Sequence, residues 1–279
     1  MDLLGQRQAI RQLGAIPLSE DNRPELVGKL KASLGALTLF RDAVLPFVDK
    51  LINHEPATGF QNLSPDQKKI YWSLRTSRLK TWTFSDTVVA YAPIVNAEAT
   101  PAVRDLYSIF VTCATTMLLL LSAGMPVRGA IEMGVALEPR DGEIYGPAFV
   151  DAYDLHEVVA GYPRVVVGDK LGRHLHQLLE YPGDGDVPSL IRENARLCAS
   201  IVKQDQDGML FVDYLGTGFR EIIGGSHYDD LVKKAREFVD TEHEGQIKAR
   251  DWKLAGRYAC LRQYFDARAS EWEGEQQRN

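Results

Sequence analysis

Residues 77–93 read S-R-L-K-T-W-T-F-S-D-T-V-V-A-Y-A-P. Thr81, Thr83, Val88 and Val89 are β-branched, and Trp82, Phe84 and Tyr91 are aromatic. Such residues fit a pleated, half-buried surface. Between them stands Ser85-Asp86, which has the length of a tight hairpin turn without the usual Asn-Gly or Asp-Gly. The stretch therefore predicts two short strands joined at Ser85-Asp86. A carboxylate at a hairpin tip is rigid and half-exposed, suited to ligating a hard metal ion. The other reading is an Asp that only stabilises its turn.

Upstream, Met1-Asp2-Leu3-Leu4-Gly5-Gln6 reads as the end of a strand entering a turn, with the rest of that strand expected before it. Arg7 to Leu13 suggests a short helix stopped by Gly14 and Pro17. Leu26, Leu30, Leu34, Leu37, Phe40, Val44, Phe47, Val48 and Leu51 recur at helical spacing, so residues 24–53 form a long helical region, kinked or divided at Pro46. Ser64-Pro65-Asp66 starts another helix, with Ser as cap and Pro at its first position.

Downstream of the hairpin, Leu106 to Val127 carries no charge. Its length would span a bilayer. Ser108, Thr112, Thr115 and Thr116 interrupt it, and a helix buried against a sheet is the expectation. Residues 127–137 read as a strand, with bulges or close backbone approach at Gly129 and Gly134. Arg140-Asp141-Gly142 reads as a turn, 147–159 as a helix and 164–167 as a strand. Beyond Asp169 the pattern is mostly helical: 170–181, 188–201 and a long charged helix from Tyr228 to about Trp272, interrupted at Gly245. Asp207 to Asp213 reads as a turn and strand, and Gly216 to Gly225 as a flexible connection.

The chain has 279 residues and a formal net charge of -6. That charge argues against duplex-DNA binding, which needs a basic footprint. Cys113, Cys198 and Cys260 are scattered and odd in number, which suggests a reducing compartment and no disulfide framework. The expected location is cytoplasmic, with no membrane partner. His174 and His176 fall on opposite sides of a helix with no ligand partner at metal spacing. Gly216-Thr217-Gly218 is too short for a phosphate-binding fingerprint. No G-x-S-x-G nucleophile elbow occurs.

Asp2 and Asp86 can be read together. Two carboxylates at strand ends on neighbouring strands suit a pair of divalent ions held against a triphosphate, since Mg²⁺ and Mn²⁺ take oxygen ligands and keep positions open for phosphate. The D-x-x-G turn after Asp2 would turn backbone N–H groups toward phosphate oxygens, with a helix N-terminus behind them.

On these residues the chain resembles the class III nucleotide cyclases, and more narrowly the pyrimidine nucleotide cyclases of the bacterial Pycsar anti-phage system. Asp2-Leu3-Leu4-Gly5 matches the first-strand D-I-x-G. Phe84-Ser85-Asp86 matches the hairpin Asp. Val127 to Gly134 matches the strand after the long helix, and Ile144 to Ala152 the next loop and helix. Trp252 to Tyr258 is a weaker echo.

The resemblance implies an α+β fold: a ferredoxin-like βαββαβ cyclase core over 1–169, its first strand truncated, with a helical insertion at 24–72 and a mostly helical extension over 170–279. It implies a homodimer that converts UTP to cyclic UMP and pyrophosphate with two Mn²⁺ or Mg²⁺ ions, the product acting on a separate effector in antiviral defence. Asp2 and Asp86 would be catalytic metal ligands, joined by the backbone carbonyl of Leu3. Gly5, Gln6 and Trp82 would contact substrate. Trp82 stands where purine cyclases carry Lys or Glu, and its ring would favour a pyrimidine; packing in the core is the alternative. Val150 and Asp154 stand where purine cyclases carry Asn and Arg, leaving Arg128 as the candidate transition-state cation, against a strand-end Arg facing solvent. The alternatives in function are a catalytically silent cyclase-like module that binds a nucleotide or partner, and a cyclase acting on CTP or a purine triphosphate.

Overall fold

The computed structural model describes residues 1–3, 24, 27, 34–35, 37–52, 68, 77–84, 87–95 and 101–276. It is mixed α+β, with one seven-stranded sheet in the order β2-β3-β1-β4-β5-β7-β6. The strands are β1 (Asp2–Leu3), β2 (Lys80–Phe84), β3 (Thr87–Tyr91), β4 (Val127–Ile131), β5 (Val165–Val167), β6 (Val202–Gln204) and β7 (Leu210–Val212). The helices are α1 (Leu45–Ile52), α2 (Val103–Ser122), α3 (Pro147–Val158), α4 (Asp169–Leu179), α5 (Asp186–Ala199), α6 (Thr217–Ile223), α7 (Gly225–Ala249) and α8 (Trp252–Gln276). All strand pairs are antiparallel except β4 and β5, which the α3 crossover joins in parallel.

The hairpin forms as its β-branched and aromatic residues predict, Lys80 opposite Tyr91 through Phe84 opposite Thr87. Pro46 does mark a break: a π-helical turn, Phe40–Val44, precedes α1. The Leu45 N–H reaches back to the Phe40 carbonyl. A proline has no N–H and crowds the carbonyl four residues back, and one wide turn relieves both.

The core is organised around α2, which lies against the π turn, α1, α5, α7, β4 and β7. Phe110, Val111, Met117 and Leu118 are fully buried. Each large apolar side chain buried this way stabilises by about 1.5–3 kcal/mol. By length and composition α2 is apolar enough to cross a membrane, and 83% of its apolar window is buried inside the protein. The hydroxyls of Ser108, Thr112 and Thr116 donate to the carbonyls of Arg104, Ser108 and Thr112 at 2.8, 2.7 and 2.6 Å. Back-bonding to the preceding turn satisfies them without any partner outside the helix. At its start, Asp105 is buried and accepts from Arg78 Nε and Nη2 at 3.0 and 2.7 Å, which ties the chain entering β2 to the core helix.

Several expected elements are corrected. The strand predicted over 127–137 ends at Ile131. Glu132 leaves it to accept N–H bonds from Met133 and Leu171, at 2.8 and 3.1 Å, the second at the N-terminus of α4 where a carboxylate is favourable. Leu137 makes only an isolated bridge to Tyr145. The long C-terminal helix is two helices. Gly245 lies inside α7, and the break falls at Arg250, whose φ is 59°. Asp251 then caps α8 by accepting from the Leu254 N–H at 3.0 Å. The stretch read as a flexible glycine connection contains α6. A Cβ at Gly218 would stand 2.6 Å from the Ser200 carbonyl oxygen, so this glycine permits close helix approach.

Candidate functional site

β1 lies between β3 and β4, and of the predicted site residues it sets Asp2 and Leu3 beside the strand that carries Arg128. Asp2 pairs with Thr87 on one side and Arg128 on the other, and Leu3 pairs with Val127. The Met1 amino group donates to the Val88 carbonyl, and the Val88 N–H donates to the Met1 carbonyl, both at 2.9 Å. A Cβ at Gly129 would stand 2.6 Å from Met1 Cγ, so only glycine lets the chain lie this close to β4. Asp86 directly precedes Thr87, the pairing partner of Asp2, in sequence. Asp86, Gly5 and Gln6 themselves lie outside the described residues, as do the side chains of Asp2 and Leu3.

Arg128 does not face solvent. Its side chain is 12% exposed, and Nη2 donates to Glu157 Oε1 on α3 at 3.1 Å. Its Nε is buried with no hydrogen-bond partner. His156 Nδ1 stands 3.4 Å from the same Glu157 oxygen, and the Tyr153 ring centroid lies 6.2 Å from that of His156. The sequence reading missed Tyr153, His156 and Glu157. Their spacing on one helix face, i, i+3 and i+4, was the available signal. Val150 and Asp154 are exposed on α3.

Trp82 is not a core residue. It lies on the edge strand β2, 40% exposed, stacked on the still more exposed Phe84 with centroids 5.7 Å apart and planes at 21°. The pair forms an apolar platform on the hairpin that leads to Asp86. Where β2 begins, Lys80 Nζ donates to both oxygens of Glu138 at 2.8 and 2.9 Å, and to Asp141 at 3.0 Å. The Tyr91 hydroxyl donates to Glu138 at 2.9 Å and the Gly142 N–H at 3.1 Å. These bonds, led by that from Lys80, hold the Glu138 carboxyl down at about 2.

A cavity of about 520 Å³ opens between β3 and β4, with α2 and α3 contributing walls. Its lining is mainly apolar and includes Val89, Ala90, Ile109, Cys113, Ala130 and Ile131. Burial pushes the Cys113 thiol up to about 12, which favours its protonated form. Among the described residues no group of three or more His, Cys, Asp or Glu side chains comes together as a metal site. His176 is exposed, 3.8 Å from Glu180, and desolvation lowers the pKa of His174.

No family model, curated protein or solved structure matches the chain.

Proposed function

We propose that the chain is a pyrimidine nucleotide cyclase that converts UTP to cyclic UMP and pyrophosphate. The observation that carries this reading is the β1 register. Asp2 pairs with Thr87, the residue after Asp86, and on its other side with Arg128. Asp2 and the mostly enclosed Arg128 thus stand opposite each other on adjacent strands, and Asp86 is next in sequence to the residue opposite Asp2 on its other side. The order β2-β3-β1-β4, antiparallel with α2 connecting β3 to β4, supports a ferredoxin-like βαββαβ cyclase core. Residues 24–72 would be its helical insertion and 170–279 its extension.

In this reading the 3′-hydroxyl oxygen of UTP attacks the α-phosphorus. The bond to the bridging oxygen breaks, and pyrophosphate carries the electron pair away. Asp2, Asp86 and the Leu3 carbonyl would hold two Mn²⁺ or Mg²⁺ ions, which supply acidification of the hydroxyl and neutralisation of the phosphates. Gly5 and Gln6 would give backbone N–H groups to phosphate oxygens. Arg128, with Nε unpartnered, would meet charge developing on the α-phosphate. The Trp82–Phe84 platform offers a flat apolar face on which a base can stack. A homodimer in the cytoplasm, a separate effector for the product and a role in phage defence complete the proposal.

A second reading has one observation in its favour: Arg128 Nη2 is already bonded to Glu157. A silent nucleotide-binding module would keep that bond. The test is incubation of the purified protein with each of the four ribonucleoside triphosphates and Mn²⁺, read by mass spectrometry, with equilibrium binding in parallel. Cyclic UMP is expected. A different cyclic product moves the base assignment. Binding without product leaves the silent module, and neither binding nor product overturns both readings.

A further inference from the structure

Glu157 stands where a helix has little use for it. It lies in the last turn of α3, which ends at Val158. The carbonyls there carry the negative end of the helix dipole, which opposes a carboxylate and favours a basic neighbour such as His156. Its side chain is 35% exposed, and an ion pair so open to water adds little to stability. Local structure and stability therefore leave a carboxylate at this position unexplained. Its contacts supply a reason: Glu157 Oε1 accepts from Arg128 Nη2 on β4 at 3.1 Å and lies 3.4 Å from His156 Nδ1.

The hold on Arg128 is partial. A guanidinium is a rigid planar fork of five N–H donors, and a carboxylate that satisfies it takes two of them side by side. Arg78 shows that arrangement, giving Nε and Nη2 to Asp105 at 3.0 and 2.7 Å. Glu157 takes only Nη2, at a longer distance, with an oxygen that also faces His156. Arg128 Nε stays buried with no hydrogen-bond partner. Because the fork is stiff, fixing Nη2 restricts the direction of Nε as well. The two side chains come from a strand and from the helix packed on it, and regular elements hold a side chain more closely than loops do.

We propose that Glu157 is a positioning residue: it holds Arg128 by Nη2 so that Nε is presented to the charge developing on the α-phosphate. The inference rests on the cyclase reading, and it makes the Arg128–Glu157 bond a part of that chemistry instead of an obstacle to it. Glu157 acts through Arg128 and not on the substrate. It keeps a mostly enclosed cation neutralised before substrate arrives, so the donor is already in place when charge develops.

The test reads turnover of UTP with Mn²⁺ and, separately, the nitrogen-15 NMR signal of the Arg128 Nε–H without substrate, identified by its loss in Arg128→Gln. Glu157→Ala is expected to lower kcat by up to about 10²-fold while KM stays put, the cost of a donor misplaced by about 1 Å. Glu157→Gln keeps an accepting oxygen and is expected to recover most of that loss. The double variant of Arg128→Gln and Glu157→Ala is expected to be no slower than Arg128→Gln alone. The Nε–H signal should be sharp in the parent and in Glu157→Gln and broadened in Glu157→Ala. An alanine variant as fast as the parent, a double variant slowed by the full alanine factor, or an equally sharp signal in all three proteins overturns the proposal. A parent that forms no cyclic product while the signal still broadens in Glu157→Ala fails the cyclase reading and leaves the hold of Glu157 on Arg128 standing, so the two failures are read apart.

Discussion

At Asp213 a buried carboxylate accepts from Tyr264 at 2.6 Å and from Arg268 Nε at 3.1 Å, and Arg268 Nη2 pairs with its other oxygen. At Arg128, two strands away across β5, a guanidinium nearly as buried has one carboxylate partner and an idle Nε. Asp213 has partners for both its oxygens, and Tyr264 also accepts from the Leu215 N–H at 2.9 Å, although the buried Tyr214 hydroxyl beside them has no hydrogen-bond partner. Around β1 the chain leaves polar capacity open, beside exposed aromatics and a cavity. The first arrangement holds α8 to the sheet. The second is what a site that receives a ligand requires, since a donor already satisfied inside the protein has nothing to offer. If this contrast is right, substitutions at the two ends should separate stability from activity.

The largest effect is expected at Asp213. Arg268→Met keeps the bulk of the side chain and leaves the carboxylate without its cation. Removing one partner of a buried pair costs about 3–5 kcal/mol. Urea unfolding should show the midpoint fall by a corresponding amount, while the protein that remains folded turns over substrate at its former rate. A loss below about 1 kcal/mol would mean that Tyr264 alone satisfies Asp213, and the comparison would lose its first half.

The near end should behave the opposite way. Arg128→Gln is expected to lower cyclic UMP formation by about 10²–10³-fold, the usual consequence of removing a donor aimed at developing charge. Its effect on the urea midpoint should be much smaller than that of Arg268→Met, because Glu157 is 35% exposed and water can take the place of the guanidinium. Trp82→Ala should change stability by less than about 0.5 kcal/mol, as surface substitutions do. It should erode the preference for UTP over ATP in a competition assay. An unchanged preference removes Trp82 from base selection.

The same contrast explains what the sequence made legible. The hairpin and α2 were readable because each is a local pattern, β-branched and aromatic residues in one and an unbroken apolar run in the other. The break at Arg250 was not readable, because a non-glycine residue takes φ 59° there and the next helix is started by Asp251. The end of β4 was equally hidden: Glu132 leaves the strand to reach Leu171, a partner far along the chain. Lys203 and Gln204 make β6 too polar and short to stand out, and pairing with β7 creates it. At the site, Asp2 and Arg128 were named from sequence, but their pairing is a matter of register. For Glu157 the helical spacing with Tyr153 and His156 was the only local signal, and its pairing with Arg128 on β4 is a long-range contact that this spacing does not disclose.

The smallest expected effect lies at the edge, where Lys80, Tyr91 and the Gly142 N–H surround Glu138. The folded carboxyl titrates at about 2, below its ordinary value of 4.5. A group whose folded pKa is lowered stabilises the fold above its unfolded pKa, and that contribution fades as the pH falls through the folded one. Glu138→Gln should therefore lower the thermal midpoint at about pH 6, and the deficit relative to the parent should shrink between about pH 4.5 and about pH 2. The groups are exposed, so 1 M salt, with a Debye length of about 3 Å, should shrink it as well. This pair clamps the hairpin to the loop before α3. A deficit that ignores both pH and salt would show that shape rather than charge joins them, and that the open end of the sheet is held by packing after all.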